Sequence, residues 1–106
     1  MNDLKWSGAE RKIARDVFEA ALQHELAELL VALKDKAASL DKPDDMWAIE
    51  GWLAECRREV DAKYDFRYSQ LPIVFGRLLR EGRITEQQIS GLARDKLALI
   101  ERVARV

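Results

Sequence analysis

His24, Cys56 and the acid pair Asp44-Asp45 are the residues of this 106-residue chain best suited to chemistry, and their spacing limits what they can do. His24 is the only histidine, which rules out a two-imidazole metal site. It lies between Gln23 and Glu25 in the middle of a helical pattern, where solvation is the simpler role. Cys56 is the only cysteine, so it has no internal disulfide partner. It falls on an apolar seam with no histidine nearby in sequence, and there a free thiol behaves as a small hydrophobe. Asp44 and Asp45 follow Pro43, where the positive end of a starting helix accounts for both. The chain has no Gly-rich phosphate loop, no Ser-His-Asp set and no Cys-x-x-Cys pair. These residues imply no enzyme, no cofactor and no metal. They leave protein–protein recognition as the function to explain.

The elements that would present such a surface are helices. Ser7-Gly8-Ala9-Glu10 is a capping box. After it Ile13, Val17, Ala21, Leu22, Leu26, Leu29, Leu30 and Leu33 recur at three- and four-residue steps. This predicts one helix of about thirty residues, roughly 45 Å long. A globule of this chain length has a radius of gyration of about 13 Å. The apolar stripe therefore needs cover from elsewhere, and a second copy of the chain is the expected source. Asp41-Lys42-Pro43 opens a second helix, where Met46, Ile49, Leu53, Cys56 and Val60 form a narrow packing seam. Trp47, Gly51, Ala54 and Arg58 lie on another face, with a large ring beside two small residues. Trp52 adds a third apolar direction, which marks this helix as an interface. After the polar-aromatic run Lys63 to Tyr68, a third helix is expected from about Ser69 to Glu81, stopped by Gly82. A second capping box, Thr85-Glu86-Gln87-Gln88, with Ile84 and Ile89 as a staple, is expected to open the last helix. The fold class is all-α, with four helices in a single domain of residues 1–106. Residues 1–65 are the long-helix, dimerising part, and residues 66–106 form a C-terminal two-helix head.

Charge divides along the same line. Residues 1–65 carry a net −5 and residues 66–106 a net +4, within an overall −1. That balance gives no general field for nucleic acid or an anionic membrane. No apolar run approaches the ~18 residues of a membrane span, and the N-terminus lacks a signal-peptide pattern, so a cytoplasmic location is expected. One DNA-binding pattern stands as a lesser alternative. Leu78 to Thr85 followed by Glu86-Gln87-Gln88-Ile89 reads as helix, glycine turn, helix, with Arg83, Arg94 and Lys96 available to phosphates. The acid at the tip of that reading helix opposes it.

Several stretches have a more specific look. They are Glu25-Leu26 with Leu29-Leu30, Asp45-Met46-Trp47, Arg57, and Glu59 to Asp65 with Arg67. Phe75, Leu78-Leu79-Arg80-Glu81-Gly82, Leu92-Ala93 and Asp95-Lys96 complete the set. From Phe18 to the end the chain resembles the fluorescence recovery protein family through these residues. The resemblance implies an all-helical homodimer without a cofactor. It would bind photoactivated orange carotenoid protein and speed its return to the resting form. The alternative is a dimeric adaptor of the same type that binds another protein. By position, Trp47 and Arg57 would lie in the family's partner patch and Met46 in the dimer seam. Glu50 and Gly51 stand where the family has a histidine and an acid, with Glu50 as the carboxylate expected to serve Arg57. Ile73 and Leu99 stand where it has an aromatic residue and a lysine. With Phe75 and Lys96, these are the expected interface residues.

Overall fold

The computed structural model describes residues 4–106, which include four helices. They are α1 (Gly8–Ala38), α2 (Pro43–Lys63), α3 (Leu71–Arg80) and α4 (Arg94–Ala104). No strand occurs among the described residues. The helix starts follow local chemistry. The Ser7 Oγ accepts the Glu10 amide at 3.1 Å, and Glu10 Oε1 accepts the Ser7 amide at 3.0 Å, so the capping box is closed. Ahead of α2, Asp45 Oδ2 accepts the amides of Asp41 and Lys42 at 2.9 and 3.1 Å, and Pro43 takes the first helical position. α3 ends in a Schellman motif. Gly82, at φ +75°, donates to Leu79, and Arg83 donates to Leu78.

The last helix starts later than expected. Residues 81–93 are turns, and α4 begins at Arg94. The Thr85–Gln88 box does form, with Thr85 donating to Gln88 Oε1 at 2.8 Å and Gln88 donating to Thr85 Oγ1 at 3.2 Å. The bonds that follow run from i to i−3: Ile89 to Glu86, Ser90 to Gln87 and Leu92 to Ile89. Tight turns of this kind bury Ile84, Ile89 and Leu92 together, and Ser90-Gly91 gives a helix little support there. The helix-turn-helix reading is therefore corrected, because its reading segment at Glu86 to Ile89 is not an α-helix.

The chain forms two compact units. The first joins residues up to Leu22 with Tyr64–Val106 and holds the buried core. Ala14, Val17, Phe18 and Ala21 of α1 share that core with Leu71, Phe75 and Leu78 of α3 and Ile100 of α4. The first turns of α1 thus belong with the C-terminal helices. Aromatic side chains from the connector complete this core. Phe18 meets Tyr64 and Phe66 edge-on at 5.4 and 4.9 Å, and Trp6 meets Tyr68 at 5.4 Å. α3 packs directly on α4 through Gly76. A Cβ there would stand 2.5 Å from Val103 Cβ and Cγ1 and 3.0 Å from the Ile100 carbonyl. These atoms lie close to the α4 backbone and cannot swing aside. Alanine at 76 gains up to about 1 kcal/mol of helix propensity, yet overpacking costs roughly 2–3 kcal/mol. Gly76→Ala is expected to lower stability by about 1–2 kcal/mol in thermal unfolding, and an unchanged midpoint would contradict this close contact.

The second unit, Gln23–Lys63, is the later part of α1 and all of α2. Its only buried residue is Lys63. Lys63 Nζ meets Glu25 Oε2 at 2.8 Å, and Lys36 Nζ sits 4.8 Å from the Trp52 ring centroid. Contacts of this kind tie α2 to α1, while every apolar side chain of this hairpin keeps some exposure.

Candidate protein-binding surface

The hairpin's uncovered apolar residues set the candidate surface. On α1, Leu26, Leu30 and Val31 are exposed, the last two at 51 % and 59 %. On α2, Met46 is 49 % exposed and Trp47 65 %. The seam residues Ile49, Leu53, Cys56 and Val60 are half-buried. On the other face Trp47, Gly51, Ala54 and Arg58 are all exposed, which leaves the ring beside a shallow notch. Apart from its chain neighbours and its own helix backbone, no atom lies within 4 Å of where a Gly51 Cβ would be. A large indole that open to water, with an unfilled notch one turn away, has the shape of a contact waiting for a partner.

Arg57 is exposed on α2, and its Nε lies 3.8 Å from Asp61 Oδ2 one turn later. Glu50 is exposed but is not that partner, so the expected Glu50–Arg57 pairing is replaced by a helical i,i+4 pair. The arginine remains at the surface with its charge largely solvated.

The head residues divide. Ile73 is 52 % exposed and Leu99 half-buried, so both reach the surface. Phe75 is fully buried and Lys96 only 2 % exposed. Phe75 packs in the core that α3 shares with α1 and α4. Lys96 Nζ is held 3.1 Å from Glu10 Oε1 and 5.1 Å from the Trp6 ring centroid. These two are corrected from surface contacts to parts of the scaffold that carries Ile73 and Leu99.

Glu10 is the centre of that scaffold, a role that its place in a capping box does not announce. Its Oε1 accepts from Ser7 and from Lys96, and its Oε2 accepts the Ala93 amide at 2.7 Å. Ala93 is the N-cap of α4 and has no side chain able to cap, so Glu10 serves the starts of two helices at once. Burial pushes its carboxyl up. The amide bonds from Ser7 and Ala93, then the Lys96 ammonium, outweigh that and hold its pKa down to about 2.

Among the described residues, groups with catalytic potential do not converge. His24 Nδ1 lies 3.4 Å from Glu28 Oε2 on the exposed face of α1, and Cys56 is a free, half-buried thiol. No cluster of three or more metal-ligating side chains occurs among the described residues. No helix among them is long and apolar enough to cross a membrane.

Comparison with known proteins agrees with this picture. The profile of the family described as photoprotection regulator fluorescence recovery protein matches residues 6–104. The fluorescence recovery protein of Synechocystis sp. is 38 % identical over 101 residues, which is 95 % of this chain and 93 % of that protein. Its solved structure superposes with a TM-score of 0.88 at 37 % identity, covering 96 % of this chain and 100 % of the other. The structure of the Fremyella diplosiphon fluorescence recovery protein does so with a TM-score of 0.88 at 32 % identity, with the same coverage. The family is one of regulators, in keeping with a site made of surface side chains. The chain belongs to the photoprotection regulator fluorescence recovery protein family.

Proposed function

We propose that this protein is a non-enzymatic regulator that acts as a homodimer. It binds photoactivated orange carotenoid protein and accelerates its return to the resting form, which ends photoprotective quenching. The observation that carries this reading is the Gln23–Lys63 hairpin, in which no apolar side chain is buried. A helical pair gains most of its stability from packing its apolar face, so this one requires cover. A second copy, laid on the Met46 seam, supplies cover on one side. That leaves Trp47, the Gly51 notch and Arg57 beside the seam, with Ile73 and Leu99 on the head, to meet the partner protein.

Regulation of this kind needs no bond chemistry. A protein that binds a form with its domains drawn together more tightly than the domain-separated form shifts the population toward closure. Each tenfold preference corresponds to about 1.4 kcal/mol. The test is dark recovery of photoconverted orange carotenoid protein, followed by absorbance with excess regulator. A several-fold faster red-to-orange return is expected, reduced at least threefold by Trp47→Ala. No acceleration at any regulator concentration would eliminate this partner.

A second reading, a dimeric adaptor for a different protein, draws on one feature. Arg57 is engaged by Asp61, and position 51 offers no carboxylate. It predicts a surface that dimerises normally and retains a different protein from its host's extract.

A further inference from the structure

Among the surface cations of the first unit, several face carboxylates among the described residues, while others such as Arg94 and Arg102 do not. Lys12 pairs with Asp16, Arg77 and Arg83 with Glu81, Arg105 with Glu101, and Arg67 with Asp65. Arg67 Nε contacts both Asp65 oxygens at 2.9 and 3.0 Å, and this hydrogen bonding holds the Asp65 carboxyl below its usual range. Arg11 and Arg15 are set apart by the aromatic rings they face. Both are exposed, and neither has a carboxylate at ion-pair distance among the described residues. The Arg11 guanidinium instead lies 5.7 Å from the Tyr68 ring centroid, and that of Arg15 lies 5.1 Å from the Phe66 centroid. Glu19, one turn beyond Arg15, is not at ion-pair distance from it.

The arrangement has two consequences. An arginine side chain normally loses about 2 kcal/mol of rotamer freedom when it is fixed. Here the rings of Tyr68 and Phe66 restrain both guanidiniums in advance, so less of that loss remains for binding. The rings are themselves anchored, because Phe66 packs edge-on against Phe18 and Tyr68 against Trp6. The two arginines are also one helical turn apart, which sets their Cα atoms about 6 Å from each other along α1. Planar guanidinium forks match carboxylates in a bidentate way.

We infer that Arg11 and Arg15 form a pre-arranged docking ridge for an acidic polypeptide segment carrying two carboxylates about one helical turn apart. Two cations are too few for a nucleic-acid backbone, where six or more phosphate contacts are usual. The net charge of −1 gives no wider field to recruit a polyanion. An acidic helix or loop of a protein, with two or three side chains to place, fits the ridge. This is independent of which protein the α2 surface binds.

The test uses the full chain and a synthetic helical peptide with two glutamate pairs at i,i+4 spacing. NMR titration at about 50 mM salt should shift the Nε–H signals of Arg11 and Arg15 and the ring signals of Phe66 and Tyr68. The double variant Arg11→Gln/Arg15→Gln should bind at least fivefold more weakly at that salt, and the difference should vanish near 0.5 M. Arg11→Lys/Arg15→Lys keeps both charges but loses the stacked forks, and is expected to lose at least half of that gain. Thermal unfolding of the variants separates binding losses from unfolding. Shifts that map elsewhere, or equal binding by the glutamine variant, would overturn the inference. So would tighter binding of a single-stranded oligonucleotide of equal charge to the same residues.

Discussion

Glu10→Gln is expected to lower the unfolding free energy by about 3 kcal/mol at neutral pH, although the change is isosteric. The folded carboxyl titrates at about 2 against an ordinary 4.5. A depressed acid stabilises the fold above its unfolded pKa and loses that contribution as pH falls through the folded one. At 1.36 kcal/mol per pH unit, that interval amounts to about 3 kcal/mol. The difference between the wild type and Glu10→Gln should therefore be constant above pH 5, shrink between about 4.5 and 2, and be nearly gone below. Taking the difference between two proteins cancels the titration of every other carboxylate. The variant also leaves Lys96 at 2 % exposure with only Asp95 Oδ1, at 3.9 Å, as a carboxylate neighbour. An ion left buried without its partner is costly. Glu10→Gln/Lys96→Met should accordingly recover part of the loss. Urea unfolding across pH 2–7 measures all of this, and a difference that does not vary with pH would remove the charge from the account.

Glu10 also marks how far this fold can be read from the sequence. The reciprocal bonds between Ser7 and Glu10 are three residues apart, so the capping box was legible as a local pattern. The bond from Glu10 to Ala93 joins positions 83 residues apart, and no local pattern carries it. The 31-residue α1, Pro43 at the start of α2 and Gly82 at the end of α3 were legible for the same local reason. Thr85–Gln88 shows the limit of such signals. Its box formed, but burial of Ile84, Ile89 and Leu92 selected tight turns in place of a helix. Periodicity set Trp47 and Met46 on different faces of α2, and both are exposed in this chain. The family resemblance pointed to Phe75 and Lys96 as contacts, yet both are buried, because a residue type shared with a family can serve the scaffold as readily as the surface. The packing of Phe66 and Tyr68 on Phe18 and Trp6 was not legible, since a short polar-aromatic run reads equally well as a solvated linker.

Met46→Glu is expected to convert the protein to a monomer without unfolding the first unit. In the single chain Met46 is 49 % exposed, so a glutamate there can reach water at little cost to the fold. Inside a dimer seam it cannot. Burying an unpaired carboxylate, or protonating it to avoid this, costs about 3 kcal/mol. A two-fold axis brings the same residue from both copies, so the cost is counted twice and the two charges repel. The dimer dissociation constant should rise by roughly four orders of magnitude, which size-exclusion with light scattering reads as a halved mass. The monomer should also test the hairpin's need for cover. Gln23–Lys63 has no buried apolar side chain of its own, so amide exchange there should accelerate once the second copy is gone. Protection around Leu71, Phe75, Leu78 and Ile100 should persist, because their core is complete within one chain. A dimer that survives the substitution would move the interface off the Met46 seam. A monomer whose hairpin stays as protected as before would show that the Glu25–Lys63 and Lys36–Trp52 ties suffice alone, and the argument from missing burial would then fail.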